Sequence, residues 1–218
     1  MKKEFQPYVI GLTGNIGTGK SVVRRMLEKK GVLGIDADYL VHRALQRGTK
    51  GYQDICQNFG GEYLKSNGEI DRGKLAASIF QNKEALILLE KILHPIVIKS
   101  FKQILRKSQM PIITIEAIKL LDSELVAMCD NIWTVHIQES KQINRLMQSR
   151  NLSEAQIKER LAQDPDSRQE AQHSDTVIYN DQALDKTWKD VNHSWNTLLI
   201  KDPIFYIYRT NIQKRYSH

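Results

Sequence analysis

A glycine-rich stretch near the amino terminus constrains this chain more than any other feature. Residues 11–21 read GLTGNIGTGKS and follow the apolar run Tyr8-Val-Ile. Each glycine costs conformational entropy on folding, so the glycines at 14, 17 and 19 beside a lysine and a serine indicate that a ligand approaches bare backbone here. Residues 14–21 also satisfy the pattern G-x-x-x-x-G-K-[ST] of a phosphate-binding P-loop.

The residues on either side of this loop predict a parallel α/β sheet. Residues 8–13 are apolar and predict a buried strand, while residues 20–30 predict a helix with one apolar face. Gly31 stands where that helix would end, and residues 32–36 predict a second short strand that finishes with an acid. Strand, glycine loop, helix and strand in this order predict the α/β class with a P-loop core.

The loop also predicts a nucleoside triphosphate and Mg²⁺ as cofactors. In a P-loop, successive backbone N–H groups converge on phosphate oxygens at a helix N-terminus. Lys20 would reach the β- and γ-phosphates, and the Ser21 hydroxyl would bind Mg²⁺. The predicted nucleotide-binding residues are Gly14, Asn15, Gly17, Thr18, Gly19, Lys20, Ser21 and Val22.

The composition is typical of a globular chain, and its positive net charge favours anionic partners. Its 218 residues are 41% hydrophobic, enough for the core of one domain with insertions. The net charge of +7 suits nucleic acid, a membrane surface or a phosphorylated small molecule, and is explained equally well as a solubilising surface charge. Cys56 and Cys129 show no metal or redox spacing. With no signal sequence and no stretch of ~20 apolar residues, the expectation is a cytoplasmic protein without a membrane partner.

Helical and strand patterns alternate along the rest of the chain. Residues 38–108 are mostly helical, and Pro95 predicts a kink or break in the long run around it. A packed or capping role is expected for His94 rather than a catalytic one. Strand patterns return at residues 111–117, 131–137 and 176–180. Polar helical residues 139–172 and a closing helix at 181–199 complete an α/β core with two helical insertions.

Several motifs follow one another in a fixed order. They are the run from Ile10 to Ser21, Ile35-Asp-Ala-Asp38, Leu93-His-Pro95, Gln142-Ile-Asn-Arg145 with Arg150, and Ser174-Asp-Thr-Val-Ile-Tyr-Asn180. In order and approximate spacing this set resembles the dephospho-coenzyme A kinases across residues 8–199. Only the P-loop is specific by itself, so the ordered set carries the resemblance.

The resemblance implies both a fold and a reaction. The fold would be like that of nucleoside monophosphate kinases, with a P-loop core, a helical coenzyme-binding insertion and a mobile lid. The reaction would be phosphorylation by ATP of the ribose 3′-hydroxyl of dephospho-coenzyme A, the last step of coenzyme A synthesis. The corresponding segments are a core of residues 8–38, 110–138 and 173–200, an insertion of 39–109 and a lid of 139–172, while a tail of 201–218 lies beyond the resemblance.

Two acids follow the second predicted strand. Asp36 ends that strand and should project into the crevice at the carboxyl edge of the sheet, where it can accept a hydroxyl proton or hold a magnesium-bound water. Asp38 either contacts the substrate or is the N-cap of the next helix. Thr13, directly before the loop, is a further substrate-binding candidate.

The resemblance adds candidates in the predicted lid and after the last strand. Arg145 would act with Lys20 and Asp36 in catalysis, since a guanidinium fork suits phosphoryl oxygens. For Arg150 a phosphate contact and a solvated surface position are equally favoured, whereas Arg160 is expected at the surface. Asn180 would lie near the adenine or ribose, with a plain turn as the alternative.

Three departures from the family pattern are present, of which the last keeps another acceptor open. Asn15 stands where the family usually has glycine, and Val22 replaces a usual threonine. In the segment EAIKLLDS (116–123), Ile118 takes the place of a proline and Asp122 that of a glutamate. The alternatives are another P-loop small-molecule or nucleotide kinase, or a non-catalytic nucleotide or nucleic-acid binder. The presence of Lys20, Ser21 and Asp36 argues against the last, so the expected partners are ATP and dephospho-coenzyme A without nucleic acid.

Overall fold

A five-stranded parallel sheet forms the centre of the larger of two compact units. The computed structural model describes residues 6–80, 82–150, 153–163 and 167–216. Within these residues the sheet has the order β2-β3-β1-β4-β5, so the strand that leads into the glycine loop is central. The strands are β1 Tyr8–Thr13, β2 Leu33–Asp36, β3 Ile112–Glu116, β4 Asn131–His136 and β5 Thr176–Tyr179. This arrangement confirms the predicted parallel α/β class.

The first helix starts directly from the glycine loop. Helix α1, Lys20–Glu28, buries Val23, Met26 and Leu27 against the sheet, as its apolar face predicts. Gly31 follows the helix with a φ of 86°, a left-handed conformation that glycine adopts without a steric penalty. The chain then enters β2, which ends at Asp36 on the same sheet edge as the loop.

Residues Ala37–Lys107 form the second compact unit, which is helical. Its helices are α2 Ala37–Ala44, α3 Lys50–Phe59, α4 Arg72–Phe80 and α5 Lys83–Lys107, with a 3₁₀ turn at Gly61–Tyr63. The unit has a core of its own, made of Ala44, Leu45, Ile55, Ile70, Leu75, Ile79 and Leu93. A separate core is what allows an insertion of this length to fold as a unit.

The structure corrects two sequence predictions in α5. The helix is continuous through Pro95, so the predicted break is wrong, although proline removes one backbone donor; a kink stays a prediction. His94 is exposed rather than packed, and it lies in the interior of the helix rather than at a cap. Pro95 is exposed too, and the apolar side chains on both sides of it hold the helix to the core of its unit.

The remaining helices belong to the unit with the sheet. They are α6 Glu139–Arg150, α7 Glu154–Gln163, α8 Ser167–Gln172, α9 Leu184–Lys201 and α10 Pro203–Tyr216, with a 3₁₀ turn at Val126–Met128. Helix α9 packs Val191, Trp195 and Leu198 into the cluster that covers one face of the sheet. No helix among the described residues is long and apolar enough to cross a membrane.

Candidate active site

The ends of three neighbouring strands bring the candidate residues together. The parallel register pairs Asp36 of β2 with Glu116 of β3, and Glu116 in turn with Leu12 of β1. Directly after β1 the chain enters the glycine loop. Since ligands of open parallel sheets bind at the carboxyl ends of the strands, this edge is the candidate active site.

Glycine is required at two positions of the loop for both conformation and space. Gly14 has a φ of 132° and Gly19 a φ of 99°. A Cβ atom on Gly14 would lie 2.4 Å from the carbonyl oxygen of Val135, and one on Gly19 would lie 2.1 Å from the amide nitrogen of Asn180. The carbonyl oxygen of Val135 and the side chain of Asn180 therefore leave no room for a side chain at these two positions of the loop.

Lys20 and Ser21 take up defined positions at the start of α1. The ammonium group of Lys20 donates to the carbonyl oxygens of Gly14 at 2.6 Å and of Asn15 at 3.0 Å, so it lies across the loop. The hydroxyl of Ser21 donates to Oε1 of Glu116 at 2.8 Å. Its single hydrogen is thereby directed inward, which leaves the lone pairs of the oxygen for a ligand outside.

Glu116 is a buried acid in the centre of the site. Its second oxygen, Oε2, lies 3.3 Å from Nε of Arg24 and accepts no hydrogen bond from the described residues. Burial raises the pKa of this carboxyl, while the Ser21 hydrogen bond and the charge of Arg24 lower it. Asp36 raises it further and Lys20 lowers it, so both groups are close enough to interact electrostatically with Glu116.

These oxygens suit a magnesium ion. Mg²⁺ prefers oxygen ligands, keeps several waters and is commonly bound by one or two protein groups together with substrate phosphates. The Ser21 hydroxyl oxygen suits a ligand of the ion, and Oε2 of Glu116 suits an acceptor for hydrogen bonds from its waters. Among the described residues no group of three or more His, Cys, Asp or Glu side chains could hold a metal by itself.

Asn180 is hydrogen-bonded to the loop from the segment that follows β5. Its amide nitrogen donates to the carbonyl oxygen of Thr18 at 2.7 Å, and its amide oxygen accepts from the hydroxyl of Thr187 at 2.8 Å. The side chain is only 2% exposed. Both ends are occupied by protein groups, and a contact with adenine or ribose stays a prediction.

The base of α6 is attached to the same loop. Gln142 donates to the carbonyl oxygen of Ile16 at 2.6 Å. Arg145 donates to the carbonyl oxygens of Gly17 and Thr18, each at 3.4 Å, and to that of Asn180 at 3.3 Å. The side chain of Ile16 packs against an apolar cluster of α6 and α7. The structure therefore places the Arg145 guanidinium beside the residues that would surround the phosphates.

The roles predicted for the other site residues stay predictions, and the structure gives their surroundings. Thr13 is fully buried and donates to Oε1 of Glu170 at 2.7 Å. Asp38 is exposed in the first turn of α2, which begins at Ala37, so the N-cap interpretation is wrong. The side chain of Val22 packs against the core cluster of the sheet, and its part in nucleotide binding stays a prediction. The side chain of Arg150 lies outside the described residues.

The segment that departs from the family pattern forms one wall of this edge. The carbonyl oxygen of Ile118 accepts a hydrogen bond from the Thr13 hydroxyl at 3.1 Å, and Ala117 donates to the carbonyl oxygen of Leu12 at 3.0 Å. Asp122 is exposed. The wall is thus attached to the end of β1, directly before the glycine loop.

Three residues of the site were missed in the sequence. Glu116 carries the same signal as Asp36, an acid at the end of a predicted strand, and that signal was available. Gln142 belongs to one of the quoted motifs but is an ordinary polar helix residue by itself. Arg24 has no local signal, because its partner Glu116 comes from a distant part of the chain.

Sequence comparison identifies related proteins across most of the chain. The family model described as dephospho-CoA kinase matches residues 8–186. The dephospho-CoA kinase of Bacillus cereus (strain ZK / E33L) is 32% identical over 197 residues, which cover 84% of this chain and 98% of that protein. The dephospho-CoA kinase of Geobacter metallireducens is 33% identical over 198 residues, covering 89% and 98% respectively.

Solved structures show the same fold. TT1252 from Thermus thermophilus matches with a TM-score of 0.78 at 24% identity, covering 89% of this chain and 98% of that one. Dephospho-CoA kinase from Campylobacter jejuni matches with a TM-score of 0.63 at 24% identity, covering 87% and 96%. A shikimate kinase from Bacteroides thetaiotaomicron matches with a TM-score of 0.53 at 11% identity, covering 88% and 98%.

Proposed function

Because the chain belongs to the dephospho-CoA kinase family, we propose that it transfers the γ-phosphoryl group of ATP to the ribose 3′-hydroxyl of dephospho-CoA. The observation that supports this most directly is the sheet edge where the glycine loop, the Ser21–Glu116 hydrogen bond and Asp36 lie together. In the reaction the 3′-oxygen bonds to the γ-phosphorus, and the bond to the β–γ bridging oxygen breaks. ADP leaves and the hydroxyl proton passes to Asp36.

Each residue has a defined role in this proposal. The backbone N–H groups of residues 14–21 bind the phosphates at the N-terminus of α1. Lys20 exchanges its loop carbonyl partners for phosphate oxygens, and Arg145 stabilises charge on the transferred group from the base of α6. Asp36 orients the acceptor hydroxyl and takes its proton.

We also propose Mg²⁺ as the metal, held by Ser21 with Glu116 behind it. When bound, Mg²⁺ neutralises charge on the β- and γ-phosphates. Glu116 fixes the direction of the Ser21 hydroxyl and can accept hydrogen bonds from metal-bound water. The proposed location is the cytoplasm, whose reducing conditions suit two free cysteines.

An acceptor assay tests the proposal. Purified protein with ATP and Mg²⁺ is expected to convert dephospho-CoA to CoA, detected by mass, while nucleoside monophosphates and shikimate remain unphosphorylated. A Lys20→Met variant is the inactive control, since it keeps the chain length and removes the charge that follows the γ-phosphoryl group.

The altered wall at residues 116–123 favours one competing outcome. Ile118 and Asp122 replace residues usual in the family, so a different small-molecule acceptor is the second candidate. Phosphorylation of a nucleoside monophosphate or shikimate in preference to dephospho-CoA would replace the first proposal by this one.

A further inference from the structure

Arg24 contacts Glu116, the buried acid of the candidate metal site. It projects from α1, one turn after Lys20, and its side chain is 17% exposed. Its Nε faces Oε2 of Glu116 at 3.3 Å, while its Nη1 is paired with Oε1 of Glu28 on the next turn of the same helix. The guanidinium therefore joins two carboxylates, one at the surface of the core and one inside the site.

Space for this arrangement is provided by Gly34 in β2. The φ of Gly34 is not in the left-handed region, so its backbone conformation does not call for glycine. A Cβ atom there would lie 2.0 Å from Oε1 of Glu28 and 2.9 Å from Cγ of Arg24. Because Gly34 has no side chain, the Arg24–Glu28 pair fits beside it.

Together these contacts place one partner from the described residues beside each oxygen of Glu116, a hydrogen bond at Oε1 and an ion pair without a hydrogen bond at Oε2. Ser21 donates to Oε1 and Arg24 is paired with Oε2. Lys20 also acts electrostatically on Glu116, but the proposed reaction places Lys20 on the phosphates. Arg24, in contrast, stays beside Glu116 during the reaction, and a paired cation stabilises a buried carboxylate.

We propose that Arg24 is a positioning residue for the metal site: it holds Glu116 against Ser21, so that the serine oxygen is oriented toward a magnesium–nucleotide complex. The inference rests on the proposed function only in assuming a Mg²⁺-dependent nucleotide site. Arg24 itself touches neither nucleotide nor acceptor. Its loss should weaken the magnesium-dependent part of nucleotide binding and leave the magnesium-free part in place.

Calorimetric titration with ADP separates these two parts. For the full-length protein, ADP affinity is measured with Mg²⁺ and again with EDTA, and the ratio gives the gain due to magnesium. In Arg24→Met we expect this gain to fall by about 10–100-fold or to the limit of detection, the usual effect of losing an outer-shell partner. The affinity in EDTA should stay within about twofold of the parent protein, because the P-loop amides are unchanged.

Matched variants distinguish positioning from a general loss of structure. Arg25→Met removes the same charge from the next, exposed position of α1 and should leave both affinities unchanged. Arg24→Lys should recover part of the gain, since an ammonium can pair with Glu116 but cannot join two carboxylates. The kcat for the phosphoryl transfer should follow the magnesium gain across the series, while the KM for the acceptor stays constant.

Two results would overturn the inference. One is a magnesium gain in Arg24→Met equal to that of the parent protein; the other is an equal loss of affinity with and without Mg²⁺, as a distorted loop would give. If Arg24→Met does not fold, Gly34→Ala provides the same readout by displacing the pair, and an unchanged magnesium gain there would also contradict the inference. Absence of CoA formation by the parent protein, with the ADP results as expected, would refute the acceptor and leave the role of Arg24 intact.

Discussion

Asp36 and Asp38 show how two acids separated by one residue acquire different surroundings. Asp36 is the last residue of β2, is partly exposed and stands in register with the buried Glu116. Asp38 is exposed in the first turn of α2, where a carboxylate interacts favourably with the helix dipole. The geometry therefore supports Asp36 as the acid of the reaction and gives Asp38 a contribution to the stability of its helix.

Asparagine substitutions compare the two acids directly. Asp36→Asn should lower kcat by about 10²–10⁴-fold, the range of a general base, with an unchanged melting temperature because the side chains are nearly isosteric. Asp38→Asn should change kcat little and remove about 0.3–1 kcal/mol of helix stabilisation. Steady-state kinetics and thermal unfolding of both variants provide the measurement. A large loss of kcat in Asp38→Asn with little in Asp36→Asn would identify Asp38 as the acid.

For single residues, the sequence predicts the positions that a short local motif specifies, but not the contacts between distant segments. The glycine loop is specified by a short run of residues, so its conformation and the place of Ser21 could be predicted from a motif. Asn180 could be located at the end of β5, but its bond to Thr18 depends on packing between distant segments. The same holds for Arg24, which no pattern on its own helix connects to Glu116.

Among the elements, the strands were the most predictable. Strand β1 is mostly apolar and fully buried, as expected for a central parallel strand covered on both faces. Helix α5 was the least predictable, because the penalty for an internal proline competes with burial of Leu93, Val97, Ile98 and Phe101 along the same helix. The rule for an internal proline concerns the local backbone alone, so it could not show that burial of these side chains would keep the helix continuous.

Helices α6 to α8 cover the region predicted as a lid. Apart from the cluster with Ile16, α6 and α7 present mostly polar or charged side chains, and few large apolar groups hold them in place. Gln142 and Arg145 nevertheless attach the base of α6 to carbonyl groups of the loop. An element held mainly by polar bonds to a ligand-binding loop is suited to respond to the ligand.

Hydrogen exchange tests this response. Amides of residues 139–163 should exchange slowly with a non-hydrolysable ATP analogue and dephospho-CoA bound, and faster in the free protein. Amides of β1 and β3, buried in the sheet, should be protected in both states and serve as the internal reference. Equal exchange of residues 139–163 in the two states, with binding verified by calorimetry, would contradict the lid assignment.

At the scale of the whole molecule, the two ends of the described chain meet. The hydroxyl of Tyr8 at the start of β1 donates to Asp202 at 2.7 Å, and the Tyr208 hydroxyl donates to the carbonyl oxygen of Gln6. Phe205 of α10 packs edge-on against Tyr8 and Trp195, with ring centroids 4.9 Å apart in both pairs. These residues of α10 lie beyond the stretch of residues 8–186 that the family model matches, and they pack against the start of β1 and against α9.

Phe205→Ala should therefore lower the stability of the protein without changing its chemistry. Phe205 is fully buried, whereas the adjacent Tyr206 is 55% exposed. Truncation of a buried phenylalanine costs about 3–5 kcal/mol, so Phe205→Ala should reduce the free energy of unfolding by about that amount in urea denaturation. Tyr206→Ala, the matched control, should stay within about 0.5 kcal/mol of the parent protein.

Both variants should retain the KM values for ATP and acceptor below their melting temperatures, because α10 packs at Tyr8, the end of β1 opposite to the glycine loop. Equal stability of the two variants would mean that α10 is only loosely attached and that the core is complete without it.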